Sequence, residues 1–327
     1  MKAMLVKENE KLEWCEVDDP IISDDEALVE VYAVGVNRAD ILQRQGKYPS
    51  PAGCPPWMGL EISGVIKELG KVACEKSDLK VGDRVCALLG GGGYAQYVAV
   101  KYDMMIKLPD NLSFEHAAAI PEAFATSYLN LFIEAHLEEG DTVYISAGAS
   151  GLSTAMIPLA KTFGATVVTS IIDESKREHV RSLGADIIVN TQEDSLPEKF
   201  KELEENGTPV KIAVDCLSGK TLGECMPYMA RGGYWVVIST LAGIETNILL
   251  RPLLTKGLHL VGSMLRNRTP EMKAQILSEL SQKVFPKIAR GEMVPFVCKT
   301  LPIEQALSGH KLLEDGKSVG KVVLTVK

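Results

Sequence analysis

TVYISAGASGLS, residues 142–153, leads an apolar run into a turn of small residues and then into a helical segment from Gly151 to Phe163. Such a turn lets backbone N–H groups and a helix N-terminus approach a diphosphate. The loop is a weak signal alone, but it stands at the first strand–helix junction of an alternating array. Downstream, ATVVTSII, ESKREHVRSLG, IIVN, LPEKFKELEEN, KIAVDCL, KTLGECMPYMA and GYWVVIST alternate apolar runs with helical pieces. Strands that are apolar throughout and separated by helices form a parallel sheet covered on both faces. This is the doubly wound pattern, which binds ligands beyond the carboxyl ends of its strands. Ser150, Gly151, Leu152 and Ser153 are therefore the expected dinucleotide cradle, with Ser153 tighter than the glycine usual at the third small position. Pro158 falls inside the helix, where proline costs roughly 3 kcal/mol. A kink there, or a helix that starts later than the motif implies, is predicted.

Cofactor choice turns on the end of the second strand. Asp173 either binds ribose hydroxyls, which favours NADH, or only caps the following helix. Lys176 either attracts the extra phosphate of NADPH or is a solvated helix residue.

Before residue 120 the character differs. EALVEVYAVGV, EISGVIKEL, DRVCALL and YAQYVAV recur between Gly- and Pro-rich turns such as LLGGGGYA, which suggests an antiparallel, barrel-like domain. After about residue 290, PFVCKTLP, the helix IEQALSGHKLLEDG and the strand GKVVLTV could return to that first domain and make it discontinuous. The expected division is residues 1–120 with 290–327 as one domain and 121–289 as the other; 327 residues are about twice a typical domain.

The net charge of −8 argues against nucleic acid or an anionic membrane surface as partner. Pro121 and Glu122 interrupt the longest apolar stretch, Ala117 to Ile133, so no membrane span is expected. MKAMLVKENEKLEW lacks the uncharged run of a secretory signal. The seven cysteines form no CxxC pair and read as free thiols in a reducing, cytoplasmic setting.

Five segments now carry a family likeness: VNRADILQRQGKY (36–48), MGLEISG (58–64), VGDRV (81–85), GGGGYAQYVAV (90–100) and AAAIPEAFATSY (117–128). With SAGASGLS, RSLGAD, AVDCLSG and SMLRNR they resemble the medium-chain dehydrogenase/reductase superfamily, over essentially the whole chain. The likeness is strongest to its zinc-free quinone oxidoreductase branch, in the subgroup of the tumour-suppressor-inducible quinone oxidoreductase. It implies an α/β chain with a GroES-like β-rich catalytic domain and a doubly wound Rossmann domain. It also implies NADPH as cofactor, with NADH as the alternative that Asp173 would favour, and a homodimer.

Zinc-dependent relatives place Cys where Asn37 stands and His where Leu60 stands, and neither residue supplies the thiolate or imidazole that a tetrahedral Zn²⁺ needs. By resemblance Asn37, Asp40 and Tyr48 line the cleft near the nicotinamide: Asn37 donating an amide N–H, Tyr48 donating or packing its ring, and Asp40 orienting Arg38 or Arg44. Leu265 and Arg266 reach the nicotinamide side, or form a plain strand end. Gly90–Gly93 is a flexible turn or a cleft lining, and Glu122 is a helix N-terminal charge stabilised by the dipole. Departures from the branch's dinucleotide pattern fall at Ser153, Pro158, Ile172, Asp173, Thr191 and Ser239. Three functions remain: a quinone or conjugated-carbonyl oxidoreductase, an enal or enoyl reductase of the same family, and a non-catalytic dinucleotide sensor or scaffold.

Overall fold

The computed structural model describes every residue except Lys317. The strands are β1 (Lys2–Val6), β2 (Leu12–Glu16), β3 (Glu26–Gly35), β4 (Glu61–Leu69), β5 (Arg84–Leu88), β6 (Tyr97–Lys101), β7 (Met105–Lys107), β8 (Thr142–Ile145), β9 (Thr166–Ile171), β10 (Ile187–Asn190), β11 (Ile212–Asp215), β12 (Tyr234–Val237), β13 (His259–Gly262), β14 (Val297–Pro302) and β15 (Lys321–Thr325). They fall into two compact units, Met1–Ala125 with Arg268–Lys327, and Thr126–Asn267.

The first unit holds a seven-stranded sheet ordered β14-β15-β3-β4-β5-β7, with β6 pairing β3. Period-two alternation explains β3: Ala27, Val29, Val31 and Ala33 point inward while the residues between them are partly exposed. The C-terminal strand does return, pairing antiparallel with β3 through Val323–Gly35, Leu324–Val34 and Thr325–Ala33. The division differs from the expected one at both boundaries. The first boundary lies within the helix Pro121–Tyr128. At the second, the helix Pro270–Lys283 packs on β7 in the first unit, because Ile276, Leu277 and Leu280 make an apolar face that is buried there. Nothing in the sequence period between 268 and 289 distinguishes a helix covering one sheet from a helix covering the other.

The second unit is a six-stranded parallel sheet in the order β10-β9-β8-β11-β12-β13. The strand order reverses between β8 and β11, which makes their carboxyl ends the topological switch point. One flank is filled by Tyr144, Phe200, Leu222, Cys225 and the fully buried Trp235. Tyr144 meets the Phe200 ring edge-on at 5.3 Å, and the Trp235 indole N–H donates to Asp215 at 3.2 Å. No helix among the described residues is long and apolar enough to cross a membrane.

Candidate functional site

In the second unit the turn after β8 is built by hydroxyls. Ser146 accepts from the Cys216 N–H at 2.8 Å, and its own N–H donates to Val214 at 3.1 Å, which ties the ends of β8 and β11 together at the switch point. Ser153 is buried and donates to the Ser146 carbonyl at 2.8 Å, while its N–H donates to Ser150 Oγ at 3.1 Å. The hydroxyl that replaces glycine is thus accommodated by a carbonyl at the strand end. Gly148 is forced: a Cβ there would lie 2.5 Å from Thr169 Oγ1. Among the described residues no backbone acceptor meets the N–H groups of Ala149, Gly151 and Leu152, just ahead of the helix Ser153–Thr162. Three open amides before a ten-residue helix make an anion cradle. The helix starts at Ser153, two positions later than the motif implies, and runs on through Pro158. Proline there leaves the Thr154 carbonyl without its intrahelical donor.

At the end of β9, Asp173 accepts from the N–H (3.0 Å) and hydroxyl (2.7 Å) of Ser175, which hold its carboxyl below the usual range. Capping is what the structure gives it. Lys176 is half-buried next to it. Thr191 donates to the Ile171 carbonyl at 3.3 Å, beside the exposed Ile172. Sequence reasoning missed the lock next door: Asn190 and Arg177 both donate to Glu174, at 3.2 Å and 3.0 Å. Ser239 is half-buried, its carbonyl accepting from the Ser218 hydroxyl at 2.8 Å. Leu265 is buried and Arg266 half-buried in the 3-10 turn Leu265–Asn267.

The first unit gathers a buried polar cluster around Asn37, the residue that starts the helix Arg38–Arg44. The Lys321 ammonium donates to Glu61 Oε1 (2.6 Å), Asn37 Oδ1 (2.7 Å) and the Val36 carbonyl (3.1 Å), which uses all its protons. Asn37 Nδ2 donates to Glu61 Oε1 (2.9 Å) and Gly35 O (3.3 Å). The expectation that Asn37 offers an amide N–H to substrate is corrected, since both N–H groups are engaged. Gly35 makes room for this carboxylate, because a Cβ there would lie 2.3 Å from Glu61 Oε1. Glu61 Oε2 accepts from the main-chain N–H of Glu122 at 2.8 Å.

Asp40 is fully buried, and among the described residues neither Arg38 nor Arg44 donates to it, contrary to expectation. It accepts instead from the N–H groups of Asn37 (2.7 Å) and Gly59 (3.0 Å) and from the Tyr94 hydroxyl (3.4 Å). Arg38 donates to the Leu313 carbonyl. Arg44 Nη1 lies 3.2 Å from His310 Nδ1, and His310 Nε2 lies 3.1 Å from the Tyr94 hydroxyl. Guanidinium only donates, so His310 accepts at Nδ1, carries its proton on Nε2, and passes a donor to Tyr94, whose own proton goes to Asp40. Burial, then Arg44, hold the His310 pKa down to about 3. Burial lifts Asp40 to about 6 against the two backbone donors. Glu122 is lifted to about 8, by burial first and then by Glu61. It is therefore an acid rather than the dipole-stabilised charge expected of it. Tyr48 follows this helix in a loop and is half-buried. Gly90–Gly93 seat the loop before β4: Gly90 lies against Cys54, Gly92 against Pro55, and the Trp57 indole donates to Gly92 at 2.9 Å.

Residues 23–110 match the alcohol dehydrogenase GroES-like domain and residues 151–282 the zinc-binding dehydrogenase family. A quinone oxidoreductase-like protein 2 homolog of Nematostella vectensis is 30% identical over 91% of this chain and 81% of its own length. The chain belongs to the medium-chain dehydrogenase/reductase superfamily. Within it, the quinone oxidoreductase of Thermus thermophilus, solved also as its NADPH complex, superposes with a TM-score of 0.82 and 29% identity, covering 100% of both chains. A lovastatin diketide synthase of Aspergillus terreus is 30% identical over 93% of this chain, which spans only 12% of that much longer protein.

Proposed function

We propose that the chain is an NADPH-dependent, zinc-independent oxidoreductase that reduces quinones or related conjugated carbonyls. The observation that carries this reading is the cradle of open amides at Ala149, Gly151 and Leu152 on the switch point of the parallel sheet. A diphosphate there would meet these amides and the positive end of the helix Ser153–Thr162, and Lys176 would hold a 2′-phosphate by charge. A nicotinamide so anchored would supply hydride. Kinship with the Nematostella and Thermus proteins supports quinones as substrates, and the NADPH complex of the latter supports the cofactor. Zinc independence rests on Asn37 and Leu60, and on the Lys321 ammonium, which would repel a second cation beside Glu61. A cytoplasmic setting suits the seven free cysteines.

The same reading includes a homodimer. β13 is an edge strand with exposed His259 and Leu260, and Leu249, Leu250 and Leu254 are exposed on and just before the helix Leu250–Lys256. An unpaired edge and an apolar patch are self-complementary about a two-fold axis, so a second copy is the occupant. Light scattering should give twice the chain mass, and Leu254→Glu with Leu260→Glu should give a monomer.

Turnover is tested by following NADPH and NADH absorbance with 1,4-benzoquinone, 9,10-phenanthrenequinone and an enal. Quinone turnover supports the reading. Turnover of the enal alone supports the enoyl-type reading that the likeness to a polyketide synthase segment favours. Binding without turnover points to a sensor, and calorimetry that finds no dinucleotide binding overturns all three.

A further inference from the structure

Ala147, two residues beyond β8, has a φ of 52°, left-handed backbone that a residue bearing a Cβ disfavours by roughly tenfold. What holds it there comes from β9. The Ala147 N–H donates to the Ser170 hydroxyl at 3.2 Å, and the next N–H, of Gly148, donates to the Ser170 carbonyl at 2.8 Å. Ser170 is buried, and its hydroxyl also lies 3.0 Å from that of the buried Tyr144. Tyr144 already gives this hydroxyl a partner, so its grip on Ala147 is additional. We propose that Ser170 is a positioning residue for dinucleotide binding, its hydroxyl holding Ala147 in the left-handed conformation that leaves the cradle amides open. The role rests on the reductase reading above.

Ala147 is joined to the cradle directly. Its carbonyl accepts from the Ser150 N–H at 2.8 Å, so its peptide planes decide which amides of the turn are spent. That of Ser150 is spent, and those of Ala149, Gly151 and Leu152 stay open. The rest of the anchoring stops one residue short. Ser146 is tied to β11 through Val214 and to the Cys216 N–H, and its carbonyl accepts from the Ser153 hydroxyl. Among the described residues only Ser170 meets the Ala147 N–H. Without that hydroxyl, Ala147 relaxes toward negative φ, the Ser150 N–H leaves its acceptor, and the amides that a diphosphate needs are no longer arranged in advance. A glycine at 147 would adopt the same φ at no steric cost and make the clasp dispensable. Alanine there makes it necessary.

The test compares wild type, Ser170→Ala, Tyr144→Phe and the double variant Ser170→Ala with Ala147→Gly by two readouts. The first, on protein without nucleotide, is hydrogen exchange of the Ala147 amide followed by nuclear magnetic resonance. That amide should be protected in wild type and exchange about tenfold faster in Ser170→Ala. The second readout is the calorimetric Kd for NADPH. Ser170→Ala should weaken binding by about tenfold. Tyr144→Phe leaves the Ala147–Ser170 bond in place and should weaken it by no more than about threefold. The double variant should regain most of the affinity without regaining the protection, because glycine needs no clasp to stay left-handed. A hydroxyl that served packing alone would give no such rescue. An unprotected Ala147 amide in wild type overturns the proposal, whether or not any variant folds. So does Ser170→Ala with wild-type affinity, and so does a double variant that binds no better than Ser170→Ala. A wild type whose Ala147 amide is protected and which binds no dinucleotide overturns the reductase reading, and this role with it.

Discussion

Lys321 Nζ lies 2.6 Å from Glu61 Oε1, joining side chains 260 residues apart in the sequence, and both are buried. The pair does more than cancel charge, because each partner also grips Asn37. Truncating one partner of a buried pair strands the other, at about 3–5 kcal/mol. Lys321→Met should therefore lower the stability of the chain by about that much in urea denaturation, and Lys321→Met with Glu61→Gln should recover part of it. A single variant within about 1 kcal/mol of wild type would show that the pair is not desolvated as described.

His310 makes the chain sensitive to acid. Its folded pKa of about 3 lies below the unfolded value near 6.5, so the unfolded state takes the proton first. The stability this residue provides is complete above about pH 6.5 and is lost as pH falls toward about 3. Asp40 acts in the opposite sense. Its folded pKa of about 6 lies above the unfolded value, so its cost is present above pH 6 and relieved on acidification. Comparing His310→Gln with wild type isolates the histidine. The difference in urea midpoint should shrink steadily between about pH 6.5 and about pH 3, and a constant difference would refute the buried neutral imidazole.

Gly148→Ala should weaken dinucleotide binding and cost about 1–3 kcal/mol, because its methyl group would meet Thr169 Oγ1 at 2.5 Å and Val180 Cγ1 at 3.1 Å. Calorimetry with NADPH, alongside urea denaturation, reads both effects. Unchanged affinity would separate the packing of the turn from its amides.

Lys176→Ala should raise KM for NADPH several-fold and leave KM for NADH nearly unchanged. Asp173→Ser should move neither constant much, since the carboxylate is occupied with Ser175. A large gain for NADPH in Asp173→Ser would return the carboxylate to the ribose.

The parallel sheet was legible because its strands are apolar throughout and its turn is made of small residues. The β-rich unit was legible from period two, as in β3. What escaped was long-range. The sequence shows Asn37 and Asp40 three positions apart, a spacing that suits a helix start, but not that Lys321, Glu61, Tyr94 and His310 converge on them. Glu122 reads as a helix-start carboxylate, and its burial first, then the tertiary placement of Glu61 beside it, makes it an acid. The switch-point tie at Ser146 was invisible for the same reason, because its partner Cys216 lies 70 residues on.

Because, among the described residues, β15 supplies the only ammonium that bonds Glu61, the order of synthesis matters. A ribosome completes β3, β4 and the helix at Arg38 long before it reaches Lys321. Until the final strand emerges, the N-terminal part of the first unit carries the Glu61 carboxylate without its counterion, so this unit can close only last although its first strands are translated first. A premature stop before that codon would spare the parallel sheet and leave the Asn37 cluster unable to close.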